Sequence, residues 1–127
     1  MSASAGMDKE AILAALPELV PQLCDPDVEW IEDPVRADGR TYRGHAGVIE
    51  SWTRWLEQWD EYGAEVERII DCGDEVLVYT RERARGAASG ATVESRHFGV
   101  WTIHDGKLLR YREFYDEQAA REAAGCA

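Results

Sequence analysis

Four consecutive segments of strand-forming residues occupy the second half of the chain. The segments are Ala64–Cys72, Glu75–Arg85, Thr92–His104 and Lys107–Tyr115. The links between them, Gly73-Asp74, Gly86–Gly90 and Asp105-Gly106, have the length and composition of antiparallel hairpin turns. The pattern therefore predicts a meander of long antiparallel strands, which few folds other than a curved sheet with a covered face accommodate.

An amphipathic helix is predicted immediately before the meander. Val48, Trp52, Trp55 and Trp59 recur at helical spacing, and Gly63 is expected to end the helix. Three indole rings on one stripe indicate a helix that packs against the sheet.

Shorter elements flank this helix and the meander. Val28–Asp33 is rich in strand formers and predicts a first strand. Asp8 is expected to cap a first helix, which Pro17 and Pro21 should kink or split, and Glu117–Ala124 predicts a final helical turn. Helices first and strands last is an α+β order, with helices covering one face of the sheet.

Length and charge limit the function. The 127 residues are enough for one domain, which we place at residues 8–127, with residues 1–7 expected as a disordered tail. Fourteen Lys and Arg against 25 Asp and Glu leave a net charge of −11, which disfavours nucleic acid and anionic membranes as partners. No apolar run approaches the ~20 residues of a membrane span, so a cytoplasmic protein is expected.

The cysteines and histidines show no metal-binding pattern. Cys24, Cys72 and Cys126 are an odd number without C-x-x-C spacing, so free thiols are expected. The three histidines also lack ligand spacing, so no metal is expected. His97 is expected on the outer face of the sheet.

The last hairpin sets the predicted cavity wall. A two-residue turn at Asp105-Gly106 pairs Val100 with Tyr111 and brings one set of side chains to a shared face. We assign this face to the concave wall because it is apolar and aromatic with only two charges, whereas a one-residue slip would invert it. The side chains on it are Arg96, Phe98, Val100, Leu109, Tyr111, Glu113 and Tyr115.

In its element order the chain resembles the nuclear transport factor 2-like superfamily, which includes SnoaL-like polyketide cyclases and ketosteroid isomerases. Three motifs support the likeness: Asp25-Pro26-Asp27-Val28-Glu29-Trp30, Tyr42-Arg43-Gly44-His45 and Asp105-Gly106-Lys107-Leu108. The resemblance implies a cone-like α+β barrel, a curved antiparallel sheet wrapped around a long helix, with a shortened N-terminal helical region. It also implies a homodimer through the outer sheet face, where Trp101, Arg110, Arg112 and Phe114 are expected.

The same resemblance suggests catalytic residues. Glu32-Asp33-Pro34-Val35 resembles the motif that carries the base of ketosteroid isomerases, which implies Asp33 as a base. Glu113 stands where SnoaL-like cyclases carry an inward acid. Arg96 is the expected charge stabiliser, although Arg96 and Glu113 could equally form a structural ion pair. The Tyr and protonated Asp of the isomerase oxyanion hole have no visible counterpart, which disfavours steroid isomerisation.

The sequence therefore favours cofactor-free proton transfer on a small hydrophobic carbonyl compound. The residues expected to shape the substrate site are Trp30, Trp55, Phe98, Val100, Tyr111 and Tyr115. The alternative is a non-catalytic ligand-binding or dimerisation module on the same fold.

Overall fold

The computed structural model of the chain describes residues 8–126, so the expected tail at residues 1–7 lies outside the described residues. In the described part, three helices and six strands follow one another. They are α1 (Lys9–Leu23), β1 (Cys24–Ile31), β2 (Thr41–Arg43), α2 (Gly44–Leu56), β3 (Trp59–Asp71), β4 (Glu75–Gly86), β5 (Thr92–His104), β6 (Lys107–Phe114) and α3 (Glu117–Ala124).

The strands form one curved, unclosed sheet in the order β2-β1-β6-β5-β4-β3. Strands β3 to β6 pair with their neighbours in antiparallel fashion, which confirms the predicted meander. Strand β1 runs parallel to β6 and antiparallel to the short β2, a strand that the sequence pattern did not predict. Helices α1 and α2 cover the concave face, so the α+β cone expected from the resemblance is confirmed.

The tryptophan helix is shorter than expected. Helix α2 ends at Leu56, where the amide of Gln58 already bonds the carbonyl of Trp55. Trp59 instead starts β3 and pairs with Gly86, while Gly63 lies inside the strand opposite Arg83. Aromatic residues are equally common in strands, so pairing with β4 decides the conformation of Trp59 against the helical spacing.

Helix α1 runs without interruption from Lys9 to Leu23 and contains both Pro17 and Pro21, so it is not split. The predicted cap is confirmed, because a carboxylate oxygen of Asp8 accepts a 2.9 Å hydrogen bond from the amide of Ala11. Its inner face packs on β1 and β6, which holds the helix over the sheet.

A bulge in β6 shifts the predicted register of the last hairpin by one residue and exchanges the faces of the side chains on β5. The turn is the expected one, since Asp105 and Gly106 both have positive φ. After the first two pairs, however, Thr102 lies opposite Arg110, which leaves Leu109 as an extra residue in β6. As a result Tyr111 shares a face with Trp101, and no longer with Val100.

The outer face of the sheet is covered by α3. Phe98 and Val100 are buried beneath it in a cluster that includes Ala120, and Phe114 packs at the edge. Trp101 lies on the opposite, concave face. The surface expected to join two subunits is therefore partly occupied within the chain itself, and the homodimer stays a prediction.

A disulfide joins Cys72 to Cys126 and closes a separation of 54 residues. The expectation of free thiols is wrong for this pair, which the tertiary fold brings together without any local spacing signal. Cys24 is the free cysteine, and it is buried. The cytoplasmic location stays a prediction, and a disulfide is more typical of oxidising compartments. In residues 8–126, no helix combines the length and apolarity that crossing a bilayer requires.

Candidate functional site

A cavity of about 540 Å³ lies between helices α1 and α2 and the concave face of the sheet. Helix α1 contributes an apolar wall that includes Leu16 and Val20, and α2 contributes Trp52 and Trp55. Residues of five strands or their adjoining loops complete the lining. A mostly apolar hollow of this size with a few polar groups is typical of a small-molecule site.

Aromatic rings form the middle of the cavity. Tyr111 lies between Trp30 and Trp101, with ring centroids 4.1 and 5.4 Å away, and Trp52 lies 6.3 Å from Trp30. Burial, together with the negative charge of Glu113, raises the pKa of Tyr111 well above its ordinary value. Tyr111 therefore faces the cavity as a neutral phenol. Of the expected substrate-binding residues, Trp30, Trp55 and Tyr111 line the cavity.

Arg36 is the centre of one polar cluster. Its Nη1 lies 3.2 Å from a carboxylate oxygen of Glu113 and 3.7 Å from one of Glu32, and its guanidinium stacks 4.5 Å from the ring of Trp55. Glu32 also accepts a 2.6 Å hydrogen bond from the hydroxyl of Ser51. Burial opposes the charge on Arg36, but Glu113 and Glu32 outweigh it and raise the pKa of the guanidinium. Asp38 also lies 3.4 Å from Nη2 of Arg36, so the cluster is a fixed cation held by three carboxylates.

A second polar cluster links His97, Glu82 and Tyr62. Nδ1 of His97 lies 2.9 Å from Oε1 of Glu82, and the hydroxyl of Tyr62 donates to Oε2 of the same carboxylate. Burial pushes the pKa of Glu82 upward, but hydrogen bonds from His97 and Tyr62 and the charge of Arg36 outweigh it, so the pKa is lowered. Burial and the Glu82 carboxylate raise the pKa of Tyr62.

The ionised Glu82 determines which nitrogen of His97 carries a proton. A carboxylate only accepts, so Nδ1 is the donor, and when the ring is uncharged its lone pair is on Nε2. Nε2 forms no hydrogen bond with any residue between 8 and 126, and His97 lines the cavity. An arrangement of this kind can supply a base to a molecule bound in the cavity. The expectation that His97 lies on the outer face is wrong, because the shifted register turns its side chain to the concave face.

Asp33 does not line the cavity. One of its carboxylate oxygens accepts from the amide of Val35 and the other from the amide of Tyr115, both at 2.9 Å. It thereby fixes the turn at Pro34 to the end of β6. Side chains alternate along an extended chain, so the neighbouring Glu32 enters the cavity in its place.

Four other expected site residues do not line the cavity, three of them on β5, whose pairing the bulge shifts. Arg96 lies on the outer face, with its Nε 2.9 Å from Glu67, and does not pair with Glu113. Phe98 and Val100 are buried under α3 instead of lining the site. Tyr115 lies with its ring 6.4 Å from that of His97 but is not part of the cavity wall.

Sequence reasoning missed Arg36, Tyr62, Glu82 and His97. A signal existed for Glu82, since it alternates with outward-facing arginines, so its side chain has to face inward. A signal also existed for His97, because the one-residue slip of the last hairpin would have placed it on the concave face. Arg36 follows Pro34 in an irregular loop, where no periodicity assigns a face.

The chain belongs to the SnoaL-like domain family, whose model matches residues 9–111. TerC, crystallised with polyporic acid, is 27% identical to it over 89% of this chain and 94% of that one, with a TM-score of 0.66. No curated protein matches the chain.

Two more distant structures show the same fold. A protein from Jannaschia sp. CCS1 described as a SnoaL-like polyketide cyclase is 19% identical, covers 93% and 91% of the two chains and has a TM-score of 0.68. A protein of ketosteroid isomerase-like fold from Catenulispora acidiphila, in complex with trimethylamine, is 12% identical, covers 93% and 92%, and has a TM-score of 0.67.

Proposed function

We propose that the cavity binds a small hydrophobic carbonyl compound and that His97 transfers a proton at the carbon next to the carbonyl. The observation that carries the proposal is the His97–Glu82 pair on the wall of an apolar cavity. A positioned histidine whose other nitrogen is held by a carboxylate is an effective general base near neutral pH. Asp33, whose oxygens are both occupied by backbone amides, is replaced as the base.

The step breaks a carbon–hydrogen bond. Its proton passes to Nε2 of His97, and the electron pair moves onto the carbonyl oxygen to give an enolate. Glu82 then stabilises the imidazolium. The charge of Arg36 acts within the same cavity and favours the negative oxygen. Glu113 acts through Arg36, which it holds in place.

The similarity to proteins crystallised with small organic molecules supports small-molecule binding. TerC was crystallised with polyporic acid, and the Catenulispora protein was obtained with trimethylamine. The apolar aromatic lining described here suits a hydrophobic ligand in the same way.

Hydrogen–deuterium exchange tests the proposal without knowledge of the natural reaction. A panel of hydrophobic ketones is incubated with the protein in D₂O, and the loss of the proton signal next to the carbonyl is followed by NMR. His97→Asn should slow exchange by about 10²-fold or more. His104→Asn is the matched control, because His104 is exposed on the last hairpin. Loss of exchange in Asp33→Asn, with His97→Asn fully active, would overturn the assignment.

One observation favours a second candidate, a non-catalytic ligand-binding module. Arg36 is already neutralised by Glu32 and Glu113, which leaves less of its charge to stabilise an enolate. For such a module, calorimetry would detect ketone binding while the NMR experiment showed no exchange with any ketone of the panel.

A further inference from the structure

The two ends of the cavity differ in polarity and exposure. At the end that holds His97, the acidic side chains of Glu32 and Glu82 are each 5% exposed. Three apolar residues that line the other end are between 40% and 58% exposed. We call these three residues the apolar rim: Leu19, Leu23 and Ile103.

Single exposed apolar side chains are common on protein surfaces and need no explanation. The apolar rim differs because all three residues border the same end of one cavity and come from two separate elements, α1 and β5. Apolar groups that converge on one opening mark a surface that another molecule covers.

Strand β5 gives the distance between the two ends. His97 and Ile103 lie on the same strand and both face the cavity. At the rise of an extended strand they are roughly 20 Å apart. Tyr111 and Trp101 lie between them. The cavity is thus an elongated channel that leads from the His97–Glu82 pair, past aromatic rings, to the rim.

We propose that the ligand is an amphipathic carbonyl compound bound head first. Its compact carbonyl head lies beside His97 and Arg36, and its unbranched apolar tail leaves through the mouth across the apolar rim. This inference rests on the proposed function only in that the cavity binds a hydrophobic carbonyl compound. A compact ligand would leave the rim uncovered, whereas a tail continuous with the channel removes it from water.

A homologous series of methyl ketones with progressively longer tails tests the inference by calorimetry. The Kd should fall about fourfold with each methylene that becomes buried, and it should level off once the tail has passed the rim. Ile103→Ser should weaken only the long-tailed ketones. Ile69→Ser is the matched control, because Ile69 is an exposed strand isoleucine that does not border the cavity.

A nitroxide at the far end of a long tail tests the direction of binding. It should broaden the NMR signals of Leu23 and Ile103 and leave those of the His97 ring sharp. The opposite pattern would overturn the head-first orientation.

The outcomes separate this inference from the proposed proton transfer. His97→Asn should keep the dependence of Kd on tail length, because the tail does not touch His97. Binding that improves with tail length but without exchange overturns the proton transfer alone. Exchange with no dependence on tail length overturns the amphipathic ligand alone, and a protein that binds no ketone overturns both.

Discussion

Nδ1 of His97 lies 2.9 Å from the buried carboxylate of Glu82 on the wall of the cavity. Strand β5, which carries His97, is two strands away from β3, which carries Tyr62. Tyr62 occupies the other oxygen of the same carboxylate. Glu82 is thereby fixed from both sides, and it in turn fixes the ring of His97. With Nδ1 held by Glu82, Nε2 is the ring nitrogen of His97 that forms no hydrogen bond with residues 8–126.

The Glu82 carboxylate should make stability dependent on pH. Its pKa is lower in the folded chain than in the unfolded one, so its contribution is fully present above about pH 4.5. That contribution is lost as the pH falls through the lower, folded value. Urea unfolding should show that Glu82→Gln costs roughly 1–3 kcal/mol at pH 7 and clearly less at pH 3.

Glu94→Gln is the control for this experiment, since Glu94 is exposed on β5. It should change stability little at either pH. An equal cost of Glu82→Gln at both pH values would mean that the ionised carboxylate contributes nothing to stability.

The register of β5 predicts different effects for two neighbouring residues. Val100 is fully buried under α3, so Val100→Ala should destabilise the fold by about 1–3 kcal/mol. It should leave ligand affinity unchanged. Trp101→Ala, on the concave face, should weaken the binding of a hydrophobic ketone at least tenfold. Urea unfolding measures the change in stability, and calorimetry measures the change in affinity. In the register expected from the two-residue turn, Val100→Ala would instead weaken binding and Trp101→Ala would leave it unchanged.

Leu109, the extra residue in β6, separates what the sequence could predict from what it could not. The meander and the helix over it follow from apolar periodicity and turn residues, which local physics determines. The face of β5 depends on one extra residue in β6, and no glycine or proline marks the position of that bulge. Trp30 and Tyr111 could therefore be assigned to the cavity from the sequence, whereas Phe98 and His97 exchanged faces.

Asp33 illustrates a second reason why the placement of a side chain could not be predicted from the sequence. The match to an isomerase motif identifies a residue type at a strand end, but two backbone amides determine the direction of its side chain. Those amides belong to the Pro34 turn and to the end of β6. The second of these contacts is a long-range one, which no local pattern encodes.

The disulfide should stabilise the docking of α3. Cys126 follows this helix and Cys72 follows β3, so the bond ties the helix to the sheet. Reduction should lower the free energy of unfolding by about 2–4 kcal/mol and speed amide exchange in α3. Urea unfolding and hydrogen exchange with and without a phosphine reductant measure both effects. The Cys72→Ser, Cys126→Ser double variant should show no response to the reductant.

Arg36 should contribute far more to stability than Arg96, the arginine that the sequence favoured. Arg36→Met leaves Glu32 and Glu113 without their cation in a largely buried site, which should cost about 3–5 kcal/mol. Arg96→Met removes only an exposed contact to Glu67 and should cost less than about 1 kcal/mol. Urea unfolding at low and high salt measures both. The cost of Arg36→Met should persist at high salt because its ion pairs are shielded from solvent, and equal costs for the two variants would contradict the placement of Arg36 in the cavity.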